Sequence, residues 1–202
     1  MEEFVFATNN PHKLHELRRL LDGRFRVLGL ADIGCHDDIP EDADSFDGNA
    51  LAKAQWVYSR YGYACAADDS GLCVDALGGA PGIHSARFAG AHGDSKANNA
   101  CLLEMMAGKT DRKAAFHTAI ALVGFADSPM FFHGSVQGSI PEAPHGEGGF
   151  GYDPLFVPDG WDRTFAQASE DEKNAVSHRG RAVAALCKYL DSLNTSYPHQ
   201  NK

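Results

Sequence analysis

Hydrophobic and polar positions along this chain alternate between short apolar runs and stretches with a helical period. Phe4-Val5-Phe6-Ala7 is an unbroken apolar run of the kind that forms a buried strand. A polar turn follows, and then Leu14, Leu17 and Leu21 recur at helical spacing, which predicts strand, turn and helix. Pro11 suits the first turn of that helix, with Asn9 or Asn10 as its cap. Arg26 to Leu30 predicts a second strand. Residues 37–44 lack any hydrophobic period and form an acidic loop. A helix then runs from about Asp47 to Tyr61, with Ala50, Leu51, Ala54, Val57, Tyr58 and Tyr61 along one face.

Ala64 to Ala67 reads as the next strand, ending in Asp68-Asp69-Ser70-Gly71, which is good turn chemistry. A second apolar run, Leu72 to Leu77, follows that turn, and residues 78–82 (Gly-Gly-Ala-Pro-Gly) break the chain. Ser95 is placed to cap a helix through about Met106. Ala114 to Phe125 and Met130 to Val136 predict two strands joined as a hairpin through residues 126–129. Ser169-Glu170-Asp171-Glu172 is a capping box opening a short helical turn that carries Lys173. Ser177 caps the last helix, whose apolar face holds Val183, Leu186, Leu190 and Leu193. Strands and helices alternate early and a hairpin sits late. The expected fold is therefore α/β, a mixed central sheet flanked by helices, with two lobes and a cleft between them. Residues 1–194 are expected to form this single two-lobed domain, and 195–202 a polar tail.

Composition narrows the function classes. The 202 residues are 44% hydrophobic and 22% charged, enough for one substantial core. Glu2 and Glu3 replace a basic leader and no apolar run approaches a membrane span, so a cytoplasmic protein without membrane contact is expected. Five scattered cysteines without a C-x-x-C pattern argue against a disulfide framework and a structural zinc site. His12 and His15 read as a solvated pair on a helix face. A net charge of -9 with no basic stripe argues against nucleic acid as a partner. A small anionic substrate is still compatible, provided that Lys13, Lys53, Lys173 and Arg179 converge on one cleft.

Candidate chemistry centres on Asp68 and Asp69. Neighbouring carboxylates can seat a divalent cation and supply a general base, and either residue could take either role. Thr8 to Lys13, at a helix N-terminus, forms a plausible phosphate cradle, for which a plain capped helix is the simpler alternative. Phe150, flanked by glycines, could stack on a base or sit as a core aromatic in a turn. Lys53 and Lys173, taken alone, read as surface lysines.

Taken together, Ala7-Thr8-Asn9-Asn10-Pro11-His12-Lys13, Phe46 with Asn49-Ala50 and Lys53, Ala67 to Leu72, Gly78 to Gly82 with Ser85-Ala86-Arg87, Gly149 to Pro154, and Glu172-Lys173 with Ser177-His178-Arg179 resemble the inosine triphosphate pyrophosphatase family. The resemblance runs from Phe4 to about Leu193. It implies attack of water on the α-phosphate of an aberrant purine nucleoside triphosphate (ITP, dITP or XTP), releasing the monophosphate and pyrophosphate. It further implies Asp69 as general base and Mg2+ ligand, Glu41 as the second metal carboxylate with Asp68 as rival, and a homodimer. Substrate contacts are implied at Thr8, Asn9, Asn10, Pro11, His12, Lys13, Lys53, Ser70, Phe150, Gly151, Tyr152, Asp153, Lys173, His178 and Arg179. Asn9 stands where many relatives have glycine, and its tolerance of left-handed backbone is expected to preserve the turn. Competing readings are a metal-dependent phosphatase acting on a terminal phosphate, and a nucleotide-binding sensor without turnover.

Overall fold

The computed structural model describes residues 3–196. One sheet of six strands has the order β2-β1-β3-β4-β5-β6. Its strands are β1 (Glu3–Phe6), β2 (Arg26–Leu28), β3 (Cys65–Val74), β4 (Lys113–Val123), β5 (Met130–Ser139) and β6 (Val157–Pro158). β1 runs parallel to β2 and β3, whereas each neighbouring pair from β3 to β6 is antiparallel, so the sheet is mixed as the sequence predicts. The helices are α1 (Pro11–Leu20), α2 (Phe46–Tyr61), α3 (Ser95–Met105), α4 (Glu170–Val176) and α5 (His178–Ser196).

The strands at the centre read as continuous apolar runs because both sheet faces are covered. Successive side chains point to opposite faces. Phe4, Phe6, Ala66, Ile120 and Leu122 join the α1 and α5 residues Leu17, Val183, Leu186 and Leu190 in one core cluster. Their strand neighbours Val5, Ala7, Cys65, Ala67, Ala119 and Ala121 join Ala50, Ala54 and Val57 of α2 in another. Each fully buried Leu or Phe in these layers contributes about 1.5–3 kcal/mol by leaving water. A third cluster, containing Leu72, Phe116, Val136, Leu155, Phe156 and Phe165, packs beneath the later loops.

The largest departure from the sequence reading lies in β3. Asp68-Asp69-Ser70-Gly71 is not a turn but the middle of a ten-residue strand, paired with Ile120, Ala119, Thr118 and His117 of β4. Ten consecutive ladder positions on β4 outweigh the local turn preference of four residues. Gly71 serves close approach: a Cβ there would lie 2.2 Å from the Gly82 carbonyl oxygen and 2.7 Å from Ser85 Oγ.

Smaller differences have local causes. Asp94 caps α3 by accepting from the Ala97 amide at 2.9 Å, and the expected cap Ser95 is the first helical residue. Asn10 rather than Asn9 caps α1. Ser169 and Glu172 form the predicted capping box, and Ser177 Oγ accepts from the Gly180 amide at 3.0 Å at the start of α5. α5 continues through Ser196, past the tail boundary placed at 195; residues 197–202 of that tail lie outside the described residues. All five cysteines are free, and Cys35, Cys65 and Cys187 are buried.

Candidate active site

The pleat of β3 sorts the acidic pair. Asp68 follows Ala66 onto the α1/α5 face, and Asp69 follows Ala67 onto the α2 face. Asp68 is fully buried, with Oδ2 3.0 Å from Lys13 Nζ of α1 and 3.5 Å from Arg179 Nε of α5. Ser70 Oγ lies 2.8 Å from the same Oδ2 and 2.8 Å from Thr118 Oγ1. Burial alone would raise the Asp68 pKa, but the charges of Lys13, Arg179 and Lys53 outweigh it and hold the carboxyl below its usual range.

Asp69 has the opposite environment. Asn49 Nδ2 of α2 donates to Oδ2 at 3.0 Å, and the Ser70 amide donates to Oδ1 at 3.0 Å. Burial raises its pKa, and the partial compensation from Lys53 and Lys13 leaves it above the ordinary carboxylate value. Asp69 lines the main cavity, of about 1140 Å³; Asp68 does not. Adjacent carboxyl groups whose environments push their pKa values apart are suited to different tasks.

That cavity gathers the remaining predicted residues. Thr8 to Lys13, Glu41, Lys53, Ser70, Phe150 to Asp153, Lys173, His178 and Arg179 all line it. In the first turn, Thr8 Oγ1 accepts from the Asn10 amide at 3.1 Å, and Asn10 Oδ1 accepts from the His12 and Lys13 amides at 3.0 and 3.4 Å. The cap thus satisfies donors that the cradle reading offered to phosphate. Lys13 Nζ, directed at Asp68, is the cation that this turn supplies. No non-glycine residue among those described has positive φ, so Asn9 fits the turn without the left-handed backbone expected of it.

Lys53 and Lys173, expected as surface lysines when read alone, are both buried. Lys53 Nζ bonds Glu41 Oε1, joining α2 to the acidic loop. Lys173 Nζ lies 2.8 Å from Asp153 Oδ2 and 3.1 Å from Glu16 Oε1, and Arg179 Nη1 also bonds Glu16. Burial opposes ionisation of Glu16, but the Arg179 and Lys173 charges outweigh it and lower its pKa. Glu16 is the main site residue missed from sequence. Its neighbour Leu17 marks the apolar face of α1, and a carboxylate beside that stripe was the available signal.

The glycine-rich loop is tied down from several directions. Asp153 Oδ2 accepts from the Phe150 amide at 2.8 Å, Asn99 Nδ2 of α3 donates to the Gly151 carbonyl at 3.1 Å, and the Tyr152 hydroxyl donates to the Ser85 carbonyl at 2.9 Å. His12 does not form a solvated pair with His15; its ring stacks on Phe150 at 5.2 Å and 13°. Lys173 Nζ lies 4.4 Å and Arg179 Cζ 5.4 Å from the Phe150 ring centre. His178 stacks on Phe116 at 4.6 Å, and its Nδ1 is buried without a partner. Burial, followed by the charges of Arg179, Lys173 and Lys13, lowers its pKa well below the usual histidine value and keeps the ring neutral.

The sequence model of the Ham1 family matches residues 4–189. The chain belongs to the Ham1 family. It is 50% identical over 191 residues to a dITP/XTP pyrophosphatase of Porphyromonas gingivalis, covering 94% of this chain and 98% of that protein. A dITP/XTP pyrophosphatase of Mycobacterium bovis is 49% identical, with 96% and 97% covered. Among solved structures, the Ham1 protein of Staphylococcus aureus superposes with a TM-score of 0.86 at 36% identity, covering 95% of this chain and 99% of that one. The nucleoside-triphosphatase, a dITP/XTP pyrophosphatase, of Mycobacterium abscessus gives 0.75 at 47% identity, with 91% and 98% covered. The family expected from the motifs is therefore the family found.

The carboxylates can be tested against a divalent ion by their own chemistry. Glu41 and Asp69 line the same cavity and interact electrostatically, each through oxygen donors of the hard type that Mg2+ prefers. No group of three or more His, Cys, Asp or Glu residues suited to a metal occurs among the described residues. Two cavity-lining carboxylates match the one or two that an ion retaining several waters takes from protein. Lys53 on Glu41 would have to share that carboxylate with the ion.

Proposed function

We propose that this Ham1 protein hydrolyses ITP, dITP and XTP to the nucleoside monophosphate and pyrophosphate, with Asp69 as general base and Mg2+ held by Glu41 and Asp69. The observation that carries this reading is the split of the acidic pair, with Asp68 locked in ion pairs and Asp69 open to the cavity with a raised pKa. An Asp69 oxygen accepts a proton from water as the water oxygen bonds to the α-phosphorus. The bond from that phosphorus to the bridging oxygen breaks, and pyrophosphate leaves. Bound Mg2+ would neutralise phosphate charge and favour departure of the leaving group. Asn49 and the Ser70 amide fix the orientation of Asp69, and Lys13 and Lys53 supply positive charge to the phosphates.

At the other end, Phe150 offers a stacking face that the His12 ring now covers and the purine would take over. Neutral His178, with a ring nitrogen unpartnered, provides a hydrogen bond to the base edge. A donor matched to a 6-keto oxygen leaves the adenine amino group mismatched, and such a mismatch supports strong rejection of ATP. The chain is read as one two-lobed unit acting as a cytoplasmic homodimer; among the described residues no helix is long and apolar enough to cross a membrane.

The test is a turnover panel of ITP, XTP, GTP and ATP with Mg2+, assaying pyrophosphate and inorganic phosphate separately. Pyrophosphate from ITP and XTP with little from GTP and ATP is the expected result. Release of phosphate in its place would establish a phosphatase, and binding without turnover a sensor.

A further inference from the structure

We propose that Arg87 grips the terminal phosphates of the substrate and then holds the departing pyrophosphate, an inference that rests on the pyrophosphatase reading above. Arg87 lines the main cavity beside Ser85, His92 and Asn98. The other lysine and arginine side chains there are already engaged: Lys13 with Asp68, Lys53 with Glu41, Lys173 with Asp153 and Glu16, and Arg179 with Glu16. Among the described residues the Arg87 side chain has neither an ion pair nor a hydrogen bond. A polyphosphate that binds at the paired cations must share or replace a carboxylate, whereas the guanidinium of Arg87 has its donors open. A planar fork of N–H groups also matches two phosphate oxygens at once.

The backbone that carries Arg87 is braced against the catalytic strand. The turn Gly82–Arg87 packs on β3 so closely that Gly71 has no room for a Cβ. Ser85 Oγ accepts from the Leu72 amide at 2.9 Å and donates to the Gly82 carbonyl. Beyond the turn, Asn98 Oδ1 accepts from the Ala89 amide at 2.8 Å and its Nδ2 donates to the Ala86 carbonyl at 3.2 Å. The Gly93 amide bonds the same Ala86 carbonyl at 2.7 Å. An arginine held this way loses less freedom on binding than one on a loose loop.

The same loop identifies the end of the substrate that it meets. The Gly82–Arg87 turn packs on β3 at Gly71, which lies two positions along the strand from Asp69 and so on the same face, and the Ser85 bond to the Leu72 amide fixes it there, so this loop adjoins the carboxylate that would hold the metal. Phe150 and His178 occupy the base end of the cavity. Arg87 therefore lies with the phosphate-binding groups.

The test compares wild type, Arg87→Ala and Arg87→Lys by calorimetric titration with Mg2+-pyrophosphate and, separately, IMP, together with ITP turnover. Arg87→Ala is expected to weaken pyrophosphate binding about ten- to a hundredfold, the range of a charge-assisted contact, and to lower kcat/KM for ITP comparably. IMP affinity should stay within about twofold, and Arg87→Lys should recover part of the loss because it keeps the charge without the fork. Thermal melts should coincide, since Arg87 has no partner to lose. Unchanged pyrophosphate affinity in Arg87→Ala, equal weakening of IMP and pyrophosphate, or a wild type that binds no pyrophosphate would each overturn the assignment. Wild type that turns over ITP while Arg87→Ala binds pyrophosphate normally overturns this inference alone; wild type that releases no pyrophosphate from ITP or XTP overturns the underlying reading.

Discussion

Asp68→Asn and Asp69→Asn neutralise adjacent residues of one strand, yet the geometry assigns them opposite consequences. Asp68 is fully buried against Lys13 and Arg179, and it accepts a hydrogen bond from Ser70. Its removal leaves Lys13 without a counter-charge and Arg179 with Glu16 alone, a defect that costs about 3–5 kcal/mol. Against a total stability of about 5–15 kcal/mol for a domain, that is a large share. With a urea slope of about 1–3 kcal/mol per molar, the unfolding midpoint should fall by about 1 M or more. Asp69→Asn removes a charge that burial already disfavours, so stability should change by less than about 1 kcal/mol, in the stabilising direction. Turnover of ITP by Asp69→Asn should fall about 10²–10⁴-fold, the range supplied by a general base. Urea melts and initial rates on both variants decide the matter. An Asp68→Asn protein that melts like wild type but turns nothing over would place the base at Asp68 and refute the division argued from the pleat. The same pairing also sets a pH dependence. The native pKa of Asp68 is depressed, so its stabilisation is present above the unfolded value of about 3.9 and is lost as pH falls below it toward the depressed native value.

Three further outcomes follow from the geometry. Gly71→Ala forces a Cβ to 2.2 Å from the Gly82 oxygen, and overpacking of this kind costs about 1–3 kcal/mol, read as a lowered melting temperature; an unchanged melt would mean that the turn is free to move. His178 is buried with a depressed pKa, so below the unfolded value of about 6.5 the unfolded chain takes up a proton that the native state refuses, and stability falls by at most about 1.4 kcal/mol per pH unit. In His178→Gln that component disappears, and parallel pH slopes for both proteins between about pH 6.5 and about pH 5 would contradict the neutral buried ring. His12→Ala clears the Phe150 face, so KM for ITP should drop about two- to tenfold with kcat preserved, the worth of one ring pair; a raised KM would show that His12 binds substrate and does not merely cover its place.

The sequence by itself determined the elements and the inventory of the site. Apolar runs flanked by polar turns located the strands, and leucine spacing located α1 and α5, because both signals depend on local periodicity. The ordered motifs named most of the residues that line the cavity, since each motif is a short contiguous stretch. What local pattern could not contain was pairing. The strand through Asp68 and Asp69 exists because β4 lies beside it over ten positions, a long-range contact that overrides turn chemistry. Glu16 joins Lys173 and Arg179 across more than 150 residues of chain, so its place beside the apolar stripe of α1 hints at burial but does not name its partners. Lys53 and Lys173 became buried cations only when the fold brought Glu41 to the first and Asp153 and Glu16 to the second. The separate roles of Asp68 and Asp69 likewise arise from the tertiary structure, because pleating turns neighbouring side chains to opposite faces and packing decides which face carries the counter-charges.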